Sequence, residues 1–171
     1  MEQQIKRKLP NCTTNKCLKS SVRSIFGISD TTAGIVSIEK TNYANAHFLI
    51  KNVTRKKINV LAIDSCLLNS SDPSKCDFAV FDNKTFCFVE IKEASTKKGR
   101  RKHKVKAVSQ LYSSIKYFIT RLNFKNYQIE AILCLAYPPR RPVVSTAMQS
   151  NKALFANMGV ILSEGTEKEF L

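Results

Sequence analysis

The sequence predicts an α/β fold, and three observations carry that expectation. Short runs of strand-forming residues lie at 58–63, 76–81, 85–91 and 128–137. Between the last two, Lys104 to Leu122 places Val105, Val108, Leu111, Ile115, Phe118 and Leu122 at three- and four-residue steps, the pattern of an amphipathic helix laid on a sheet. At 171 residues and 43% hydrophobic content the chain has material for one core, enough to bury about two-thirds of its unfolded surface.

Residues 1–30 differ in character: polar, basic, rich in Ser, Thr, Asn and Lys, with Cys12 and Cys17. They read as an ordered arm or first helix region, a nucleic-acid-contacting tail or a partly disordered segment. Residues 31–171 read as one globular domain without repeats. Ile58 to Ile63 forms an apolar strand leading into Asp64, where a strand-end acid most often caps a turn.

Cys76–Phe81 and Thr85–Ile91 form a hairpin about Asp82-Asn83-Lys84, a polar segment with turn chemistry that reads as an ordinary solvated turn. Side chains alternate along a strand, so Phe86, Phe88, Glu90 and Lys92 share one face and Cys87, Val89 and Ile91 the other. Apolar residues on both faces mark a central strand with a polar end. Antiparallel pairing about 82–84 places Asp77 opposite Glu90.

On the helix, Lys106 and Gln110 lie four apart and share a face. Gln128 to Tyr137 forms a further strand, and Pro138-Pro139-Arg140-Arg141-Pro142 breaks it into a surface loop. Val143 to Met158 reads as a helix and Gly159 to Leu162 as a short closing strand.

With 28 Lys and Arg against 13 Asp and Glu the net charge is +15, which favours polyanionic partners. The charge is concentrated after the hairpin: Lys97, Lys98, Arg100, Arg101, Lys102, Lys104 and Lys106 fall within ten residues that hold no acid. As a basic loop beside the hairpin's polar end, they suit a phosphate backbone. A solvated connector of the same composition is the plainer alternative.

Asp77 and Glu90-Ile91-Lys92 carry the chemistry. Two carboxylates hold a hard divalent cation, and one ammonium stands beside an attacking water, which is what phosphodiester hydrolysis requires. Asp82-Asn83-Lys84 has the same acid-x-lysine spacing without the apolar strand or the second acid, and Asp64, at the end of the 58–63 strand, is a rival ligand.

Asp77, the hairpin, Glu90-Ile91-Lys92 and a following helix with Gln110 resemble the PD-(D/E)xK nuclease superfamily, whose restriction endonuclease-like members include archaeal Holliday junction resolvases. The thirteen-residue spacing between Asp77 and Glu90 is similar to the resolvase branch. The resemblance runs from about Thr31 to Tyr137 and implies an αβββαβ core with a mixed central sheet flanked by helices. It further implies an Mg²⁺- or Mn²⁺-dependent endonuclease acting on DNA. Asp77, Glu90 and the Ile91 carbonyl would hold the metal, and Lys92 would orient or help deprotonate water. Gln110 would contribute from the helix, and Glu39 would match the acid that many members carry on the first helix. Cys76 stands where the family's name expects proline.

The six cysteines form no paired zinc framework and do not match the iron–sulfur spacing of some RecB-like nucleases, so free thiols are expected. His47 and His103 are isolated and read as core or loop residues. No apolar segment is long enough for a signal peptide or membrane span, and the expectation is a cytoplasmic protein without a membrane partner. The resemblance leaves homodimerisation or membership of a larger complex open. The competing readings are a catalytically silent subunit of the same fold in a repair, transposition or defence complex, and a basic RNA-binding protein.

Overall fold

A computed structural model describes residues 1–30, 36–39, 46–69, 74–93, 97–137 and 146–171. Among them the elements run α1 (Glu2–Lys8), α2 (Asn11–Thr14), β1 (Leu18–Ser21), β2 (Ile25–Asp30), β3 (Val36–Glu39), β4 (Phe48–Asn52), β5 (Ile58–Ala62), β6 (Phe78–Phe81), β7 (Thr85–Glu93), α3 (Lys97–Ile119), β8 (Gln128–Tyr137), α4 (Thr146–Ala156), β9 (Val160–Glu164) and β10 (Glu167–Phe170). The proline-rich loop at 138–142 lies outside the described residues.

The fold is α/β, with a mixed six-stranded sheet in the order β1-β5-β6-β7-β8-β9. β5, β6 and β7 pair antiparallel, the last two across a short turn, whereas β7, β8 and β9 run parallel. Parallel neighbours need a crossover, and α3 and α4 provide it. β5 and β6 are buried along their whole length, as strands covered on both faces must be.

One face of this sheet belongs to α3. Phe86 and Phe88 of β7 meet Phe118 at centroid distances of 6.2 and 5.3 Å. The opposite face is covered by a second sheet, ordered β10-β4-β2-β3, which packs Phe48 edge-on against Phe78 at 5.8 Å. Burial of Phe26, Ile28, Phe48, Ile50 and the central-sheet phenylalanines makes one continuous hydrophobic core.

The first thirty residues build both sheets. Ile5, Leu9, Cys12 and Cys17 are buried, β1 pairs with β5, and β2 lies between β4 and β3. Alternation in Ile25 to Asp30 is interrupted by Gly27, which leaves a weak period-2 signal in the sequence.

Several expectations are corrected. The basic run at 97–106 is the start of a helix rather than a loop, because Lys and Arg are good helix formers and one glycine costs only about 1 kcal/mol. Val105, assigned to the apolar stripe, is 69% exposed: at about 100° per residue it lies on the far side of the helix from Leu111 and Phe118. Lys106 is exposed and Gln110 buried, so they are not equivalent. The 82–84 turn is not fully solvated either, since Asp82 is buried, pairs with Lys56 at 2.6 Å and accepts from the Lys84 and Thr85 N–H groups.

Not all cysteines are free thiols. Cys17 and Cys66 form a disulfide across 49 residues, because antiparallel pairing of β1 with β5 brings the start of one strand beside the end of the other. Cys12, Cys76, Cys87 and Cys134 are free and buried. Gly159 has φ +71°, the left-handed conformation that ends α4 and turns the chain into β9.

Candidate metal centre

The hairpin register sets the site. Phe78 pairs with Val89 and Phe81 with Phe86, so one step beyond the ladder Asp77 faces Glu90. Phe86, Phe88, Glu90 and Lys92 alternate onto the α3 face. The carboxylates therefore emerge between the sheet and the helix, where phenylalanine packing ends.

There the two acids hold each other's backbone. The Asp77 N–H donates to Glu90 Oε2 at 3.1 Å, and the Ile91 N–H donates to Asp77 Oδ2 at 2.6 Å. Lys92 Nζ donates to Glu90 Oε1. All three residues converge: Asp77 is 7% exposed, Glu90 is wholly buried and Lys92 is partly exposed.

Electrostatics follow from that burial. Removal from water, only partly offset by the Ile91 N–H and Lys92, pushes the Asp77 carboxyl up to about 7. Burial, then the like charge of Asp77, raises Glu90 well above the usual carboxyl range. Burial opposes the charge on Lys92, but Glu90 outweighs it and the ammonium is held above its ordinary range. At neutral pH Lys92 is thus a fixed positive charge and hydrogen-bond donor.

These residues fit a hard divalent cation. Burial makes both carboxyls resist ionisation, and a divalent cation beside them would favour their charged forms; Mg²⁺ is commonly bound by one or two carboxylates with water and substrate completing the shell. No group of three or more His, Cys, Asp or Glu suited to a metal occurs among the described residues.

Other positions fare differently. Gln110 is buried on α3, and its Nε2 donates to the Lys75 carbonyl at 2.8 Å while Oε1 has no partner. Glu39 ends strand β3 rather than lying on a helix, and its side chain is outside the described residues. The same holds for the side chains of Lys97, Lys98, Arg100 and Arg101. Lys102 and Lys106 are exposed, whereas Lys104 is paired with Glu164 of β9 and does not offer a free charge.

Sequence reasoning missed one neighbour of the acids. Asp30, at the end of β2, acts electrostatically on both Asp77 and Lys92; no local motif links it to them. Asp64, weighed as a rival ligand, lies 3.7 Å from the Lys75 ammonium, and its N–H donates to the Asp77 carbonyl at 3.2 Å.

Comparison with protein-family models, with curated proteins and with solved structures finds no match for this chain. No helix among the described residues is long and apolar enough to cross a membrane.

Proposed function

We propose that the chain is a metal-dependent nuclease of the PD-(D/E)xK type that hydrolyses phosphodiester bonds, acting as an endonuclease on DNA with Mg²⁺ or Mn²⁺. The observation that carries this reading is the convergence of Asp77, Glu90 and Lys92 at one end of the β6–β7 hairpin. The β5-β6-β7-α3-β8 succession supports the βββαβ part of a restriction endonuclease-like core, whereas the described elements directly before β5 are strands β3 and β4 and not the expected first helix.

Asp77, Glu90 and the Ile91 carbonyl would hold the cation. When bound, it supplies Lewis-acid stabilisation of the phosphate and lowers the pKa of water. Lys92, kept protonated beside Glu90, donates a hydrogen bond and offsets charge on the phosphorane-like transition state. The ammonium does not serve as the base in that state. Lys102 and Lys106, exposed on α3, attract the phosphate backbone, and Gln110 would contribute from the same helix through its bond to the Lys75 carbonyl.

Complete burial of Glu90, with one oxygen on the Asp77 N–H and the other on Lys92, favours a second reading: a nucleic-acid-binding subunit with this site and no turnover. Cleavage of supercoiled, linear, branched and RNA substrates with Mg²⁺ or Mn²⁺ separates the two. For the nuclease, Glu90→Ala and Lys92→Ala each lower kcat by at least about 100-fold, on the scale of losing one electrostatic stabiliser, while binding persists. Binding without cleavage of any substrate by the parent protein selects the silent subunit.

A further inference from the structure

We infer that Ser114 is a positioning residue of the metal centre: from α3 it holds the N–H end of the peptide group joining Lys75 to Cys76, next to Asp77, and Gln110, one turn earlier, holds the carbonyl end of the same group. The inference rests on the nuclease reading for its chemistry and on hydrogen bonds for its geometry.

The problem it answers is one of backbone accounting. The β6–β7 ladder begins at Phe78, so the residues that present the Asp77 carboxylate lie just outside it. Buried N–H and C=O groups there need other partners. The Lys75 carbonyl accepts from Gln110 Nε2 at 2.8 Å, and the Cys76 N–H donates to Ser114 Oγ at 2.7 Å. Next, the Asp77 N–H donates to Glu90 Oε2 at 3.1 Å, and the Asp77 carbonyl accepts from the Ile63 and Asp64 N–H groups at 2.9 and 3.2 Å.

Two bonds therefore come from α3, one from β7 and two from the residues that follow β5. Gln110 and Ser114, spaced four residues apart, lie on one face of the helix. Both are buried, as is Cys76, so water does not readily replace the Ser114 oxygen. The hydroxyl fixes Asp77 relative to Glu90 across the helix–sheet interface, as groups behind metal ligands do elsewhere.

Gln110 Oε1 is buried without a hydrogen-bond partner among the described residues. Because Nε2 is committed to the Lys75 carbonyl, rotation of the amide would set two acceptors against each other. Oε1 is thereby kept on the side of the amide away from the Lys75 carbonyl.

The test is Mn²⁺ binding to the full chain by calorimetry and by paramagnetic resonance, with cleavage of a DNA substrate measured alongside. The proteins are the parent, Ser114→Ala, Ser114→Thr, Gln110→Leu and Asp77→Asn, each assayed below its own Tm. Ser114→Ala is expected to weaken Mn²⁺ binding about 10-fold to 100-fold and to lower kcat with the DNA KM little changed. Ser114→Thr, which keeps the oxygen, restores both to within about 3-fold of the parent, well inside that range. Should Ser114→Ala not fold, Gln110→Leu opens the other half of the grip and is expected to act in the same direction.

Parent-like Mn²⁺ affinity in a folded Ser114→Ala or Gln110→Leu protein overturns the inference, even if either is less stable. A parent that binds Mn²⁺ through Asp77 but cuts no substrate removes the nuclease reading and leaves the positioning role standing if Ser114→Ala weakens binding. A parent that binds no Mn²⁺ removes both.

Discussion

At the scale of single residues, Asp77 is placed at a cost to stability. Unfolded, its carboxyl releases a proton near the ordinary 3.8; folded, burial holds that proton up to about 7. The folded state is therefore favoured most below about pH 4, and that advantage is lost as pH rises toward 7. The full difference is of the order of 4 kcal/mol by linkage. Asp77→Asn keeps an oxygen for the Ile91 N–H and carries no charge. It is expected to raise the metal-free protein's stability at pH 8, to change it little at pH 4, and to abolish metal-dependent cleavage. Urea denaturation at the two pH values checks the first part; a variant less stable than the parent at pH 8 contradicts the electrostatic account.

Elements depend on a few buried polar groups as much as on the apolar pattern. The β6–β7 turn is closed by Asp82, whose carboxylate accepts from the Lys84 and Thr85 N–H groups and pairs with Lys56. Burial opposes its charge, and these partners outweigh burial, leaving the carboxyl below its usual range. Asp82→Ala strands two donors and removes the ion-pair partner of Lys56, whose ammonium still donates to the Leu171 carbonyl, so a loss of about 3 kcal/mol is expected. Asp82→Asn, which keeps the turn's acceptor, should lose about 1 kcal/mol. Equilibrium unfolding at neutral pH distinguishes them, and equal losses would place the stabilisation in the ion pair alone. The hairpin was legible in the sequence because turn chemistry and alternation act locally. The start of α3 was not: a dense basic run reads as a solvated connector, whereas helix formation there depends on continuity with the buried Ala107–Leu122 face.

For the whole molecule, net charge decides the approach of a partner. On the proposed function, a chain at +15 would gain affinity for nucleic acid by counterion release, so log K should fall linearly with log salt. Replacing exposed Lys102 and Lys106 together by Ala is expected to flatten that slope by about 2, roughly one for each lost phosphate contact. Lys104→Ala should leave the slope unchanged, since Lys104 is paired with Glu164. Fluorescence titration of a DNA duplex from low to moderate salt gives all three slopes. A flattened slope for Lys104→Ala would mean that the pair opens on binding.

What the sequence by itself determined was local: the hairpin and its register, the 128–137 strand, the buried side of α3, and the shared direction of Glu90 and Lys92. Each follows from period-2 or period-3.6 patterning and turn residues, which act over a few positions. Only the tertiary structure decided that Asp30 acts on Asp77, that Cys17 reaches Cys66, and that Ser114 and Gln110 hold the chain before Asp77. Those pairs are separated by 47, 49, 38 and 35 residues, and their meeting depends on how two sheets and a helix close on one core, a long-range packing outcome that no local spacing encodes.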